Sequence, residues 1–327
     1  MSQLIRLLAV TAISSLFSLT SLAAAEYDTV ISNGRVIDPE TGLDAVRYIG
    51  ISGNRIVAIS ASPLEGDHEI DATALVVAPG FIDLHAHGQS QESNEYQARD
   101  GVTTALELEV GTADVDLWYK LRKGKTPINF GVSVGHIPVR ISVMGDQPAF
   151  LPPADSRGAK ERATPKQIEQ IKKKIEHGLR RGAVAVGFGL QYTPEATQLE
   201  ALEVFRVAGK YNASCHVHMR SKGHSSGLNI YTALQEVIAL SAISGAPGHV
   251  VHIQSTGNLT TPQLIEMIAG AQKRGLDITC EVYPYTAGMT DIKSAIFDPG
   301  WQERAKITYS NLQWVATGER LTKKTFE

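Results

Sequence analysis

Two histidines one residue apart, His85 and His87, close the apolar run Ala78-Pro79-Gly80-Phe81-Ile82-Asp83-Leu84. On a strand, side chains two apart share a face, so both imidazoles project together from its C-terminal end. Neutral imidazole is a common ligand for zinc-like ions. Alone, the pair fits a metal site or two hydrogen-bonded core histidines. Other strand-like runs add donors. Glu107 and Glu109 share a face within Leu106-Glu107-Leu108-Glu109-Val110-Gly111, and a buried carboxylate without a cation is costly. Glu109, nearer the strand end, is the preferred ligand; Glu107, a layer deeper, is either a further ligand or a salt-bridge partner. The same end-of-strand argument favours His218 over His216 and selects His252, with His249 read as structural on the opposite face. His85, His87, Glu109, His218 and His252 together suit an ion with nitrogen and oxygen ligands, zinc first, iron or manganese next. Such an ion acidifies a bound water and polarises a carbonyl, as hydrolysis of an unactivated amide requires.

Around this set stand residues able to handle substrate. Tyr283, in Glu281-Val282-Tyr283-Pro284-Tyr285, is placed to donate to the oxyanion formed as water attacks an amide, or else to pack the site mouth. Arg220 can pair with a substrate carboxylate in bidentate fashion, or form a surface ion pair. His136 closes another strand-like run and is expected beside the ligands, whereas His68, His177 and His224 read as surface or loop residues.

The elements that must hold these groups alternate. Strand-like runs at Phe81–His85, Thr103–Glu109, Asn129–Gly135, Ala183–Phe188, Ser214–His218, His249–Ile253 and Asp277–Tyr283 are separated by amphipathic stretches. In Pro165–Arg181, Ile168, Ile171, Ile175 and Leu179 recur at helical spacing behind a capping Thr164. Strand-helix alternation implies a parallel sheet, as a barrel or a doubly wound sheet. A closed barrel has eight strands; the text after Tyr283 is loop-like to Glu327, so the last strand is expected to be missing. Residues 26–77 differ: short β-like runs broken by Asn33-Gly34, Gly42 and Gly53-Asn54 predict tight hairpins in a small β-domain.

The chain has 327 residues and a net charge of −3, with no basic stripe, so nucleic acid is not an expected partner. Residues 1–25 pair a charged start with an apolar run ending in Ala23-Ala24-Ala25, a signal peptide pattern. The run is shorter than the ~20 residues of a spanning helix. The mature chain is therefore expected to be periplasmic or secreted and free of the membrane. Cys215 and Cys280, on non-consecutive runs, read as buried free thiols.

The chain resembles the amidohydrolase superfamily, and within it the N-acyl-D-amino-acid deacylases, including the D-glutamate type. The carriers are Asn33-Gly34-Arg35-Val36-Ile37-Asp38, Ala78–Asp83 with His85-Ala86-His87, Asp100-Gly101-Val102-Thr103-Thr104, Gly135-His136, Gly187–Tyr192, His218-Met219-Arg220 and Val282-Tyr283-Pro284-Tyr285. The resemblance implies a TIM-type (β/α)8 barrel, here lacking its last strand, over residues 78–327 beside the small β-domain. It implies one or two zinc ions on His85, His87, His218 and His252. The family's cysteine ligand is absent, and Glu109 is its expected substitute. Tyr283 matches the family's carbonyl-polarising tyrosine, Tyr192 falls in a deacylase motif expected to line the substrate, and Gln254 stands where a substrate-contacting lysine is usual. The family's general base is an aspartate ending strand eight; Asp291 and Asp298 lie in loop-like sequence instead.

The expected activity is hydrolysis of a small N-acyl D-amino acid to a carboxylate and the amino acid. Alternatives on the same site are a dipeptidase such as a β-aspartyl one, or a cyclic amidohydrolase; a third is an inactive barrel remnant. Oligomeric state is not encoded in any pattern found.

Overall fold

The turn residues of the N-terminal segment act at two of the three expected places. The computed structural model describes residues 26–220 and 229–327, so the signal peptide and His224 lie outside the described residues. Strands β1 (Tyr27–Asp38), β2 (Leu43–Ser52) and β3 (Arg55–Ser60) form successive antiparallel hairpins turning at Gly42 and Gly53, both at positive φ. Asn33-Gly34 is not a turn. It is a bulge inside β1, where Asn33 takes φ 60° and the register with β2 shifts. A side chain on Gly34 would meet Val77 at 2.5 Å, so the neighbouring Val76–Val77 strand can lie this close only because the position is bare. Strands β4 (Gly66–Asp71) and β5 (Val76–Val77) then return parallel to β1, a pairing that hairpin signals do not anticipate. The chain divides into two compact units, one ending at Pro79 and the other spanning Gly80–Glu327.

The second unit carries a curled, all-parallel seven-stranded sheet. Its strands are β6 (Phe81–Asp83), β7 (Val102–Thr112), β8 (Asn129–Gly135), β9 (Val186–Gly189), β10 (Cys215–His218), β11 (Gly248–Val250) and β12 (Ile278–Cys280). They lie side by side in chain order, with β6 and β12 at the two ends. Helices connect them, as a parallel sheet demands. The Pro165–Arg180 helix shows why: Thr164 closes a capping box with Gln167, Pro165 fits the first turn, and Ile168, Ile171 and Ile175 are buried. Each such isoleucine contributes about 1.5–3 kcal/mol by leaving water. Gly178 lets this helix close on β8, since a Cβ there would lie 2.5 Å from Val134.

The seven strands occupy the seven runs read from sequence, but several are shorter. Strand β6 ends at Asp83, β11 at Val250 and β12 at Cys280, so His85, His252 and Tyr283 stand on the segments just beyond their strands. Among the described residues no helix is long and apolar enough to cross a membrane. Cys215 and Cys280 are free thiols, buried and half-buried respectively, on β10 and β12 with β11 between them.

Candidate metal centre

Strands β7 and β10 themselves carry Glu109 and His218, whereas past the ends of β6 and β11 the local backbone aims the other donors. After β6 the chain stays extended: His85 bridges to Glu107, Ala86 donates its N–H to Leu106, and the alternation turns Ala86 into the core while both imidazoles point the other way. His252 gets there differently. It adopts left-handed φ 34°, ψ 50° and precedes the short Ile253–Gly257 helix. The expectation that His249 faces away from His252 fails for that reason, because strand parity stops at Val250. His249 lies inside the sheet's curl, its ring against His216 and its Nε2 3.2 Å from Glu281.

All five expected ligands converge. Nε2 of His85 lies 2.8 Å from Oε2 of Glu109 and 3.0 Å from Nε2 of His87, and His87 Nε2 is 3.3 Å from the same oxygen. On the other side, Nδ1 of His218 lies 2.8 Å from Oε1 of Glu109 and 3.1 Å from Nε2 of His252. His252 Nε2 is 3.7 Å from Glu109 Oε2, and donors from His85, Glu109 and His252 all fall within 4.8 Å of one another. Four ligands held tetrahedrally at zinc bond lengths sit about 3.3 Å apart. These spacings therefore fit an ion, and Glu109, with one oxygen toward each histidine pair, fits a shared ligand between two.

The far side of each ring supports that reading. Nδ1 of His87 pairs with Oε2 of Glu107 at 2.7 Å, Nδ1 of His85 with Glu281, and Nε2 of His218 with Oε1 of Gln191 at 2.7 Å. A ligating imidazole characteristically gives its second nitrogen to such an acceptor. Of its two readings Glu107 takes the salt bridge, with His87, and its other oxygen accepts from the backbone N–H groups of Val110 and Gly111. With both Nδ1 protons so donated, the Nε2 lone pairs of His85 and His87 face each other at 3.0 Å. They require a cation or protons between them.

Without a metal, protons fill that place. Burial works against a charged His85, but hydrogen bonds to Glu109 and Glu281 outweigh it and push its pKa up to about 10. Likewise burial opposes protonation of His87, while Glu107 and Glu109 raise it to about 9. Burial also opposes charge on Glu109, yet His218, His252 and His85 hold its carboxyl well below the usual range. Burial keeps His218 below an ordinary imidazole, favouring the neutral form that ligates.

The expected substrate residues divide. Tyr283 stands beside the centre, its ring 6.5 Å from that of His252. Tyr192 is buried with its ring 4.9 Å from His218 and its hydroxyl on Thr290. Gln254 donates to the Tyr283 carbonyl at 3.0 Å, and among the described residues its buried amide oxygen has no partner. Arg220 is a correction. Its guanidinium is buried against Glu236 at 2.9 and 3.1 Å and donates to the carbonyls of Pro194 and Ala196, so it is committed to protein rather than offered to a substrate carboxylate. His136 is another: it pairs with buried Glu200, which also binds Arg140, and it touches none of the five ligands. Sequence reasoning missed Glu281 and Gln191 as partners of the rings. The signal for Glu281 was a carboxylate inside Ile278-Thr279-Cys280-Glu281-Val282, where an acid is expensive without a counter-charge.

A strand-end cluster of histidines and a carboxylate on a curled parallel sheet is the arrangement of a β/α-barrel type of fold with a candidate metal site at its strand ends. A model of the amidohydrolase family matches residues 76–238. The chain is 28% identical over 302 residues to an N-acyl-D-glutamate deacylase of Alcaligenes xylosoxydans xylosoxydans, covering 81% of this chain and 58% of that protein. It is 26% identical over 303 residues to a D-aminoacylase of the same organism, covering 82% and 59%. The crystal structure of N-acyl-D-glutamate deacylase from Bordetella bronchiseptica, complexed with zinc and a phosphonate inhibitor, superposes with a TM-score of 0.65 at 22% identity, covering 79% of this chain and 59% of that one. The chain thus belongs to the amidohydrolase family and spans about three fifths of the length of these relatives.

Proposed function

We propose that this site binds zinc and serves the hydrolysis of a linear amide, with an N-acyl D-amino acid as substrate. The observation that carries the proposal is Glu109 set between two histidine pairs at ligand spacing, each outer ring nitrogen already engaged. A divalent ion held there supplies Lewis acidity toward the scissile carbonyl and acidifies water beside it. The chain's own residues do the rest. His85, His87, His218 and His252 present ring nitrogens, those of His85 and His87 once the ion has displaced their protons, and Glu109 supplies the negative charge that would hold a cation in a buried place. Gln254, bonded to the Tyr283 carbonyl, steadies the segment from which the Tyr283 hydroxyl would donate to the developing oxyanion. Tyr192 walls the His218 side. The similarity to deacylases supports the acyl-amino-acid substrate class, and the amino-terminal signal pattern supports a periplasmic or secreted setting.

The test is a panel of N-acetyl-D-amino acids, their L counterparts, an L-dipeptide and a cyclic amide offered to the zinc-loaded chain, with release of free amine or ring-opened product measured. Turnover of D-acyl substrates is expected, glutamate-like side chains first. Turnover confined to the cyclic amide or the dipeptide would replace the substrate class. Zinc binding with no turnover of any member would remove the hydrolase reading from this chain.

A further inference from the structure

Strands β6 and β12 are the two ends of the seven-stranded sheet, and among the described residues no backbone ladder joins them. Their C-terminal extensions nevertheless meet. Glu281 is the first residue after β12, His85 the second after β6, and Oε1 of the one is hydrogen-bonded to Nδ1 of the other across 196 positions of sequence. The carboxylate is held for this contact. Its backbone N–H donates to Val250 and its carbonyl accepts from Ile253, fixing it against the extension of β11. Its second oxygen lies 3.2 Å from Nε2 of His249, and Nδ1 of His249 lies 2.7 Å from the Thr279 hydroxyl on β12. Backbone, His249 and Thr279 therefore leave Glu281 one free direction, toward His85.

We propose that Glu281, braced by His249, is a positioning residue that fixes His85 with Nε2 as its ligating nitrogen and ties the two ends of the sheet at the mouth of the site. The inference rests on the metal reading above. Once His85 gives its Nδ1 proton to Glu281, Nε2 is left facing Glu109 and His87. The same bond is the side-chain substitute for a missing ladder, so whatever loosens it frees a ligand and a sheet end together.

The experiment uses the full chain and its variants Glu281→Leu, Glu281→Gln and His249→Gln. Zinc affinity is read by competition with a chromophoric chelator, the His85 tautomer by imidazole nitrogen NMR, and backbone mobility by hydrogen exchange. Loss of such a partner typically weakens metal binding about 10–100-fold. That range is expected for Glu281→Leu and a smaller loss for Glu281→Gln, which keeps an acceptor without its charge. His85 should lose its single tautomer, and exchange should quicken in β6 and β12 while β8 and β9 stay as they were. A folded Glu281→Leu protein that binds zinc within twofold of wild type, with His85 unchanged, overturns the proposal. If that variant does not fold, unchanged affinity in both Glu281→Gln and His249→Gln overturns it equally. A wild-type chain that holds no zinc removes the metal reading itself, an outcome separable from wild type and variants binding alike.

Discussion

The side-chain oxygen of Gln191 lies 2.7 Å from Nε2 of His218, and this one contact decides which nitrogen of that ring faces Glu109. With Nε2–H donated to the amide, Nδ1 carries the lone pair. Replacing Gln191 by Leu leaves the ring free to change tautomer. The expected result is zinc binding about 10–100-fold weaker, with a melting temperature close to wild type in the metal-free state. Affinity that does not move would mean that Tyr192, packed on the same ring, suffices to orient His218.

Glu109 is the next lever, because its carboxylate is the charge common to both histidine pairs. Glu109→Gln should lose tight zinc binding and, by stranding the protonated rings, cost about 3–5 kcal/mol of metal-free stability. Glu109→Cys restores an anionic ligand of a kind zinc accepts, so it should recover zinc where Gln does not. Equal zinc affinity in all three proteins, measured by titration, would take Glu109 out of the centre.

The pH response follows from the two perturbed imidazoles. Free histidine titrates near 6.5, whereas His85 and His87 in the folded, metal-free chain hold protons up to about 10 and about 9. A raised folded pKa stabilises fully below the unfolded value and the benefit is lost as pH climbs through the folded one. The metal-free melting temperature should therefore fall as pH rises from 6.5 toward 10. Zinc must displace the same protons, so its apparent affinity should rise over that window. Melting curves and zinc titrations across it check both signs; a flat profile in each would show that the rings are already neutral.

Arg220 offers a test of structure against substrate binding. Its buried partner Glu236 would be stranded by Arg220→Met, which should cost about 3–5 kcal/mol, while Arg220→Lys keeps the charge without the fork and should cost less. Urea unfolding measures this. Unchanged stability together with a raised KM would return Arg220 to the substrate.

The sequence alone determined the order of seven parallel strands and singled out five candidate donors that the fold brings together. Strands announce themselves by short apolar runs between helical ones, and His85, His87, Glu109, His218 and His252 end such runs at places where burial of a polar side chain needs a reason. It could not decide orientation beyond a strand's last hydrogen bond. The two-residue period holds along a ladder and turns His249 inward, but His252 lies past the strand end and reaches the same side through a left-handed backbone. Nor could it decide partners. Arg220 beside His218 looks like a substrate clamp in one dimension, and only the approach of Glu236 from the Ile230–Ser244 helix makes it a buried ion pair. Glu281 and His85, just past the last and first strands of the sheet, become neighbours because the sheet curls. No local pattern encodes that distance, since it accumulates over the six strand-to-strand steps between β6 and β12.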